Sequence, residues 1–391
     1  MRAVIHPHQF NGTYRIPASK SHTIRRLLFA ALAEGTSSLD YPLDSLDARS
    51  CAAVCRAFGA RIEEIRESPE EARKSGNPNA PDSDGSRLAR WIVTGVGHNK
   101  AGQPGLATPE DILNVGNSGT TLYLALALAG LHDGMSIFTG DYQIRRRSAR
   151  NLLTALEGLG VYAKSSRNNG CAPLIIQGPW KGGRVSIECP TSQYLSALLI
   201  AAPLAAADVV TEIEVPLLNE QPYVEMTLSY LDAQGVRYEA APDYSYFKIY
   251  GGAFYKPMNG TVPGDFSSAA FPACAAAITG GSVKLTGLDP EDTQGDKAVF
   301  DYLKKMGCEV LWRQTGHDWE LTVTGAKQLQ GQALDLNATP DALPAMAAAA
   351  CFARGTTRLL NVPNARIKET DRIAVMAAEL GKLGASVQEL P

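Results

Sequence analysis

The sequence has no uninterrupted apolar stretch of the ~18 residues that a membrane-spanning helix requires, because glycine, proline or charge breaks its alanine-rich runs. The first residues also lack the apolar segment of a secretory signal. The formal net charge of −3 argues against nucleic acid as the main partner. Cysteine is scarce, with seven residues in 391, and no second pair or histidine cluster accompanies Cys51 and Cys55. We therefore expect a cytoplasmic protein with reduced thiols and no metal site.

What the sequence does contain is an internal α/β repeat. Each unit reads as an alanine-rich helix, a turn, a short β-branched strand, a loop, a second helix and a glycine step into another strand. The glycines of the last step are Gly59, Gly160, Gly235, Gly307 and Gly384, and the last four are nearly evenly spaced. Five units in one fixed order predict a repeat protein of the α/β class, and 391 residues are enough for two domains.

The first interval between these glycines is longer than the others, and residues 66–88 account for the excess. This stretch is rich in charge, proline, glycine, asparagine and serine, which is typical of an exposed segment. We predict a mobile insertion at 66–88.

A charged segment near the end, Asn364 to Arg372, precedes an apolar-periodic helix. Thr370 and Asp371 are good N-cap residues, and a helix N-terminus favours anions. Two arginines, a lysine and a glutamate there suggest an anion site that contains a proton-transfer group. The alternative is a solvated helix start with ordinary ion pairs.

Four further stretches carry polar groups at predicted helix starts. Lys20 and Ser21, with Arg25 further on, suit a carboxylate or phosphate. The glycine and asparagine residues within 114–121 permit backbone N–H groups to converge on an anion, and residues 190–194 offer hydroxyls and an amide. Helix capping explains all three stretches as well. The arginines at 145–147 form a site only if the fold turns one of them inward.

Together, these motifs resemble the 5-enolpyruvylshikimate-3-phosphate synthase family. The matching stretches follow the family order over nearly the whole chain: Lys20-Ser21 with Arg25, Gly116–Thr120, Arg147, Thr191–Tyr194, Pro222-Tyr223, Gly264–Ala269, Gln294–Asp296, Pro340–Ala342 and Lys368–Arg372. The related transferase that acts on UDP-N-acetylglucosamine fits less well, because the loop at 140–148 lacks its reactive cysteine.

The resemblance implies a two-domain enolpyruvyl transferase fold. Each domain would consist of three βαβαββ units around a pseudo-threefold axis, and the two domains would close on the substrates. The first domain would combine residues 1–15 with 257–391, and the second would comprise residues 16–256. The last repeat would be incomplete, because the family continues with an Asp-His-Arg motif and a late lysine. We therefore expect a carboxyvinyl transferase of the aromatic-amino-acid pathway or a fragment of one, with a degenerate, non-catalytic paralogue as the alternative.

The resemblance also implies the chemistry. The 5-hydroxyl of shikimate 3-phosphate would attack C2 of phosphoenolpyruvate after protonation at C3, and phosphate would leave the tetrahedral intermediate. No metal or organic cofactor is implied; the partners are the two small-molecule substrates, and we expect a monomer. Lys20 would shuttle a proton, Asp341 would accept the 5-hydroxyl proton, and Glu369 would be the general acid–base partner.

The implied binding residues fall into groups by ligand. Residues that would hold the shikimate ring and its carboxylate are Lys20, Ser21, Arg25, Asp341 and Asn364. Residues that would receive the 3-phosphate are Thr191, Ser192 and Lys368. Residues that would bind phosphoenolpyruvate are Gly119, Arg147 and Arg372. Lys20 would contact both substrates, and Gln193 and Tyr223 would lie between them.

Three positions depart from the family pattern. Tyr123 and Gln143 stand where the family has arginine, and Glu220 replaces a serine that contacts the 3-phosphate. A carboxylate beside a phosphate is repulsive unless it turns away. All three changes reduce positive charge, so the alternative function is transfer to another, less anionic cyclic alcohol.

Overall fold

The computed structural model describes residues 6, 8–99, 102–316 and 318–390. The chain forms two compact units: Ala18–Val262, here called the inserted unit, and Met1–Pro17 with Pro263–Pro391, called the flanking unit. The domain bounds expected from the sequence, 1–15 with 257–391 and 16–256, stay a prediction beside this division, and residues 1–5, 7 and 391 lie outside the described residues. No described helix is both long and apolar enough to cross a bilayer.

Strands and helices are numbered along the whole chain. The flanking unit begins with β1 (Gly12–Arg15). The inserted unit then contains α1 (Lys20–Leu32), β2 (Thr36–Asp40), α2 (Leu46–Ala57), β3 (Arg61–Glu67), α3 (Pro69–Ser75), β4 (Arg87–Thr94), β5 (Leu113–Asn114), α4 (Gly119–Ala129), β6 (Ser136–Thr139), α5 (Arg150–Gly158), β7 (Tyr162–Ser165), β8 (Leu174–Gln177), β9 (Gly183–Cys189), α6 (Gln193–Ala201), β10 (Val210–Leu218), α7 (Gln221–Gln234), β11 (Tyr238–Ala240), β12 (Tyr246–Tyr250) and β13 (Asn259–Thr261).

The chain then returns to the flanking unit. Its remaining elements are α8 (Phe266–Thr279), β14 (Ser282–Thr286), α9 (Ala298–Lys305), β15 (Glu309–Thr315), β16 (Asp318–Thr324), β17 (Leu329–Gln330), β18 (Ala333–Asp335), α10 (Leu343–Ala350), β19 (Ala353–Arg354), β20 (Arg358–Leu360) and α11 (Arg372–Lys382).

Within the described residues, the four-stranded sheets all have the same topology. A first strand lies parallel to a second, and two further strands add in antiparallel orientation: β13-β2-β4-β3, β5-β6-β8-β7, β9-β10-β12-β11 and β1-β14-β16-β15. In chain order, β9, α6, β10, α7, β11 and β12 form one complete βαβαββ unit. The fifth repeat contains β18, α10, β20 and α11, with β18 parallel to β20. This is the repeating unit that the sequence predicts.

The repeated glycines follow the second helix of each unit. Their φ angles are all positive, between 72° and 107°, a region that favours glycine because it has no Cβ. The residues concerned are Gly59, Gly160, Gly235, Gly307 and Gly384, which follow α2, α5, α7, α9 and α11. The glycines of the sequence repeat therefore occur where the backbone needs a positive φ angle at the end of the second helix.

The first helix of each repeat lies in the interior. All eleven residues of α4 are buried, and α1 and α6 are buried along most of their length in the same core. In the flanking unit, α8 and α10 contribute to a separate core. Because these helices are enclosed by apolar neighbours, their polar N-terminal residues stand at the edge of each core.

The predicted insertion at 66–88 contains the short helix α3, which begins with a capping box between Ser68 and Glu71. Two buried asparagines hold the segment: the amides of Asn77 and Asn79 donate to the Leu88 carbonyl within it at 3.0 and 2.8 Å, and the Asn79 amide also donates to the Pro42 carbonyl outside it at 2.8 Å. These bonds satisfy polar groups that burial would otherwise penalise. The mobility of this segment stays a prediction.

Candidate functional site

The candidate residues of the inserted unit gather at the starts of its three buried helices. The helices α1, α4 and α6 begin at Lys20, Gly119 and Gln193, where the first N–H groups have no partner within the helix. The amide of Gln193 donates to Thr120 Oγ1 at 3.0 Å and so links the starts of α6 and α4. Such N-termini favour anionic ligands.

The start of α4 lies against Arg147. A Cβ added at Gly119 would stand 2.7 Å from Arg147 Nη1 and 3.8 Å from Gln193 Oε1, so the absence of a side chain admits the guanidinium. Arg147 Nη2 donates to Asn117 Oδ1 at 3.2 Å. Its neighbours Arg145 and Arg146 are exposed, because a turn of 3-10 helix at 144–146 separates the directions of the three side chains. The fold thus turns one arginine of the run inward, as a site requires.

Arg25 joins α1 to α6 and α7. It is 1% exposed, and its guanidinium donates to Thr227 Oγ1 at 2.9 Å, to the Tyr223 carbonyl at 3.1 Å and to Ser196 Oγ at 3.3 Å. Burial lowers the pKa of Arg25 to about 10. The side chain also donates to the Ser21 carbonyl at 3.3 Å, so the predicted residues Ser21, Arg25 and Tyr223 lie together.

Lys20 is exposed at the start of α1, and its ammonium lies 3.2 Å from Asp47 Oδ2. Asp47 is a residue that the sequence did not single out, because an acidic residue in the first turn of a helix is common. Asn117, the partner of Arg147, was also missed as an individual residue, although the glycine- and asparagine-rich turn around it was noticed.

Thr191 and Ser192 donate to Glu220 rather than capping α6. Glu220 Oε2 accepts from Thr191 Oγ1 at 3.1 Å, from Ser192 Oγ at 3.1 Å and from the Ser192 backbone N–H at 3.2 Å. Ser192 is the N-cap residue of α6, yet its side chain makes no cap bond. The capping explanation of these hydroxyls is therefore wrong for Ser192.

The other two departures also occupy defined places. Tyr123 is buried, donates to the Ser148 carbonyl at 3.1 Å and packs edge-on against Tyr194. Gln143 accepts a hydrogen bond from the Asn117 amide. Tyr123 therefore brings no charge to the start of α4. Gln143 contacts Asn117, which in turn accepts a hydrogen bond from Arg147.

In the flanking unit, Arg372 connects two carboxylates. Its Nη1 lies 2.6 Å from Asp341 Oδ1, and its Nε and Nη2 lie 2.9 and 3.1 Å from the two oxygens of Glu369. Burial disfavours its charge, but Asp341 and Glu369 outweigh that effect and raise the pKa of Arg372. The contacts therefore bring one cation and two groups that can transfer protons together at the start of α11.

Asn364 and Asp371 lie near the two ends of the charged segment that precedes α11. Asn364 lies on a turn of 3-10 helix at 363–366, is 1% exposed, and neither atom of its amide has a partner among the described residues. Asp371 is the N-cap residue of α11 and accepts from the Ala374 N–H at 3.0 Å. Lys368 is half-buried in the bend before α11. A buried amide with no partner among the described residues is unusual in a folded protein.

The described residues contain no group of three or more His, Cys, Asp or Glu side chains that could hold a metal ion.

Solved structures of enolpyruvyl transferases share this fold. The chain matches EPSP synthase from Acinetobacter baumannii with a TM-score of 0.73 at 28% identity, covering 96% of this chain and 79% of that one. The enolpyruvyl transferase NikO from Streptomyces tendae matches with a TM-score of 0.58 at 17% identity, which bears on the fold alone. The repeated architecture is therefore that of an enolpyruvyl transferase fold, as predicted.

Sequence comparison then identifies the family. A sequence model of EPSP synthase (3-phosphoshikimate 1-carboxyvinyltransferase) matches residues 4–90 and 87–391. The 3-phosphoshikimate 1-carboxyvinyltransferase of Acetivibrio thermocellus is 50% identical over 97% of this chain and 81% of its own length. That of Ruminiclostridium cellulolyticum is 46% identical over 97% and 82%. The chain belongs to the EPSP synthase family, which confirms the resemblance.

Proposed function

We propose that the protein transfers the enolpyruvyl group of phosphoenolpyruvate to the 5-hydroxyl of shikimate 3-phosphate and releases phosphate, a step of the shikimate pathway. The observation that carries the proposal is the contact of Arg372 with Asp341 and Glu369 at 2.6 to 3.1 Å. Addition and elimination need a base for the hydroxyl, an acid–base group for the methylene carbon and a cation for the anionic substrate. These three side chains supply one of each.

The proposed chemistry balances without a further reactant. A proton adds to C3 of phosphoenolpyruvate while the 5-oxygen bonds to C2 and loses its proton to Asp341. Removal of a proton from C3 then expels phosphate and restores the double bond, with Glu369 and Lys20 as the proton-transfer groups.

The binding roles that we propose are those that the family resemblance implies. Arg147, Gly119 and Arg372 would hold phosphoenolpyruvate, with Gln193 and Tyr223 beside it. Thr191, Ser192 and Lys368 would hold the 3-phosphate. Ser21 and Arg25 would hold the hydroxyls and the carboxylate of the shikimate ring, and Asn364 would give its unpartnered amide to the ring.

We also propose a monomer that works in the cytoplasm. Separate buried cores in the two units support the first point, because neither needs a partner chain to enclose it. Seven free cysteines support the second, since a reducing compartment keeps thiols unpaired. Sedimentation equilibrium tests the first point, and localisation of the tagged protein in its own cells tests the second.

The test is phosphate release from phosphoenolpyruvate by the 391-residue chain, with shikimate 3-phosphate and then shikimate as acceptor. Asp341→Asn, Glu369→Gln and Lys20→Met should each lower kcat by about 10²- to 10⁴-fold if they transfer protons. Glu379→Gln is the control, because Glu379 pairs with Lys382 at 2.6 Å on the exposed face of α11. Absence of turnover with both acceptors, by a folded protein, would overturn the proposal. Turnover with shikimate alone would favour the other cyclic alcohol.

A further inference from the structure

Donors at the start of α6 bind a carboxylate of the protein itself, that of Glu220. Three donors, the hydroxyls of Thr191 and Ser192 and the backbone N–H of Ser192, converge on one oxygen of Glu220 at 3.1 to 3.2 Å. Glu220 and Ser192 are each 1% exposed, so water does not compete for these bonds. Convergent hydroxyl and N–H donors at a helix start are the groups that bind phosphate oxygens in proteins.

A comparison with the other buried helices shows that this arrangement is not ordinary capping. The N-cap serines of α1 and α4, Ser19 and Ser118, accept hydrogen bonds from the N–H groups of His22 and Thr121 in their own helices. Ser192 occupies the same place at α6, but its hydroxyl donates to Glu220 instead. The donors at α6 therefore point outward from the helix, toward an anion.

The backbone of Glu220 aims its carboxylate at these donors. Glu220 precedes α7 with φ 59° and ψ 40°, the left-handed region that residues with a side chain rarely adopt, and its side chain does not cap α7. The charge also supports a neighbour: burial lowers the pKa of Arg25, and the negative charge of Glu220 opposes this effect. The carboxylate is thus held by three donors and by a backbone conformation that residues with a side chain rarely adopt.

We propose that Glu220 determines acceptor specificity by occupying the anion subsite formed by Thr191 and Ser192, so that an acceptor's phosphate must displace it. The inference rests on the proposed function, in which these two residues receive the 3-phosphate. Carboxylate and phosphate compete for the same three donors and repel each other at short range. An acceptor with a hydroxyl in place of the phosphate meets no such competition.

The experiment measures binding by calorimetry at fixed pH and ionic strength. The ligands are shikimate 3-phosphate, inorganic phosphate and shikimate, and the proteins are the unchanged chain, Glu220→Ser and Glu220→Gln. Glutamine keeps the shape of glutamate and removes its charge, which covers the case in which the serine variant folds poorly. We expect both variants to bind the two phosphate ligands about tenfold more tightly and shikimate within about twofold of the unchanged chain.

The control is Glu225→Gln, which removes one negative charge from the same helix. Glu225 accepts from the Gln221 amide at 2.9 Å, so its loss should leave the binding of all three ligands unchanged. Equal or weaker phosphate binding by both Glu220 variants would overturn the inference, and so would an equal gain for shikimate. Turnover is measured in parallel: if no protein turns over, the proposed function fails while the binding data still decide the role of Glu220.

Discussion

Replacement of Arg372 tests the charged cluster of the flanking unit most directly. Arg372 makes a two-pronged contact with Glu369 and a third contact with Asp341. A lysine offers one compact ammonium group and cannot reproduce the fork toward Glu369 while it reaches Asp341. We therefore compare Arg372→Lys, which keeps the charge, with Arg372→Met, which removes it.

The expected loss of stability follows from the exposure of the partners. A buried hydrogen bond to a charged group contributes about 1.5–3 kcal/mol, whereas an exposed ion pair contributes about 0–1 kcal/mol. The side chains of Asp341 and Glu369 are 31% and 37% exposed, so each contact lies nearer the lower figure. Arg372→Met should then cost about 2 kcal/mol, or about 4–8 °C in Tm for a unit of this size. Arg372→Lys should cost about half of that.

Activity should fall much further than stability. Both variants should lower kcat/KM about 10²- to 10³-fold in the phosphate-release assay, because a cation that stabilises developing charge acts mainly in the transition state. Arg366→Met is the matched control. Arg366 contacts Asp371 at 3.0 Å and Glu389 at 2.6 Å in the same segment, so this variant should lose stability and keep kcat/KM within about threefold. If Arg372→Lys kept kcat/KM within threefold, or if the Arg366 variant lost as much, the assignment would be refuted.

Three further predictions follow from local geometry. Gly119→Ala should raise the KM for phosphoenolpyruvate several-fold with Tm unchanged, because the new Cβ, 2.7 Å from Arg147 Nη1, displaces that flexible guanidinium; an unchanged KM would contradict this. Asp371→Ala should cost about 1 kcal/mol and Asp371→Asn much less, since asparagine also caps helices. The Ala374 N–H lowers the pKa of Asp371 below its ordinary 3.8, so the contribution of this carboxylate is fully present above that pH and is lost as the pH falls through the lowered value. Urea titrations should therefore show a smaller advantage of the unchanged chain over Asp371→Ala at pH 3 than at pH 7. Asn79→Ala should expose segment 66–88 to trypsin, because it leaves the Pro42 carbonyl without that amide partner; unchanged cleavage kinetics would count against this.

The repeat was predictable because it rests on a local backbone rule. The residue that follows the second helix has a positive φ angle, which strongly favours glycine. Glycine therefore recurs at regular positions in the sequence, once in each repeat. The N-cap role of Asp371 was equally accessible, since a short polar side chain before an apolar helix has one common use. Both are interactions between residues close in the chain.

The contacts of the site were not predictable in the same way. Without the family resemblance, Arg147 could not be told from Arg145 and Arg146, because a short 3-10 turn decides which side chain faces inward. Glu220 was recognised as a departure, but its hydrogen bonds to Thr191 and Ser192 depend on a left-handed backbone angle. Such contacts join residues that are far apart in the chain, and the pattern of neighbouring residues in the sequence does not predict them.

Two strands, β1 and β13, pair with partners that lie far away in the sequence, and this has a consequence during synthesis on the ribosome. Strand β1, at Gly12–Arg15, pairs with β14 at Ser282–Thr286, and β13 returns at Asn259–Thr261 to pair with β2. At a translation rate of about 5–20 residues per second, β1 emerges on the order of ten seconds or more before its partner exists. During that interval its hydrogen-bonding groups can pair only with water, a chaperone or another nascent chain. We therefore expect the inserted unit to complete its sheets on the ribosome before β1 can pair with β14 in the flanking unit.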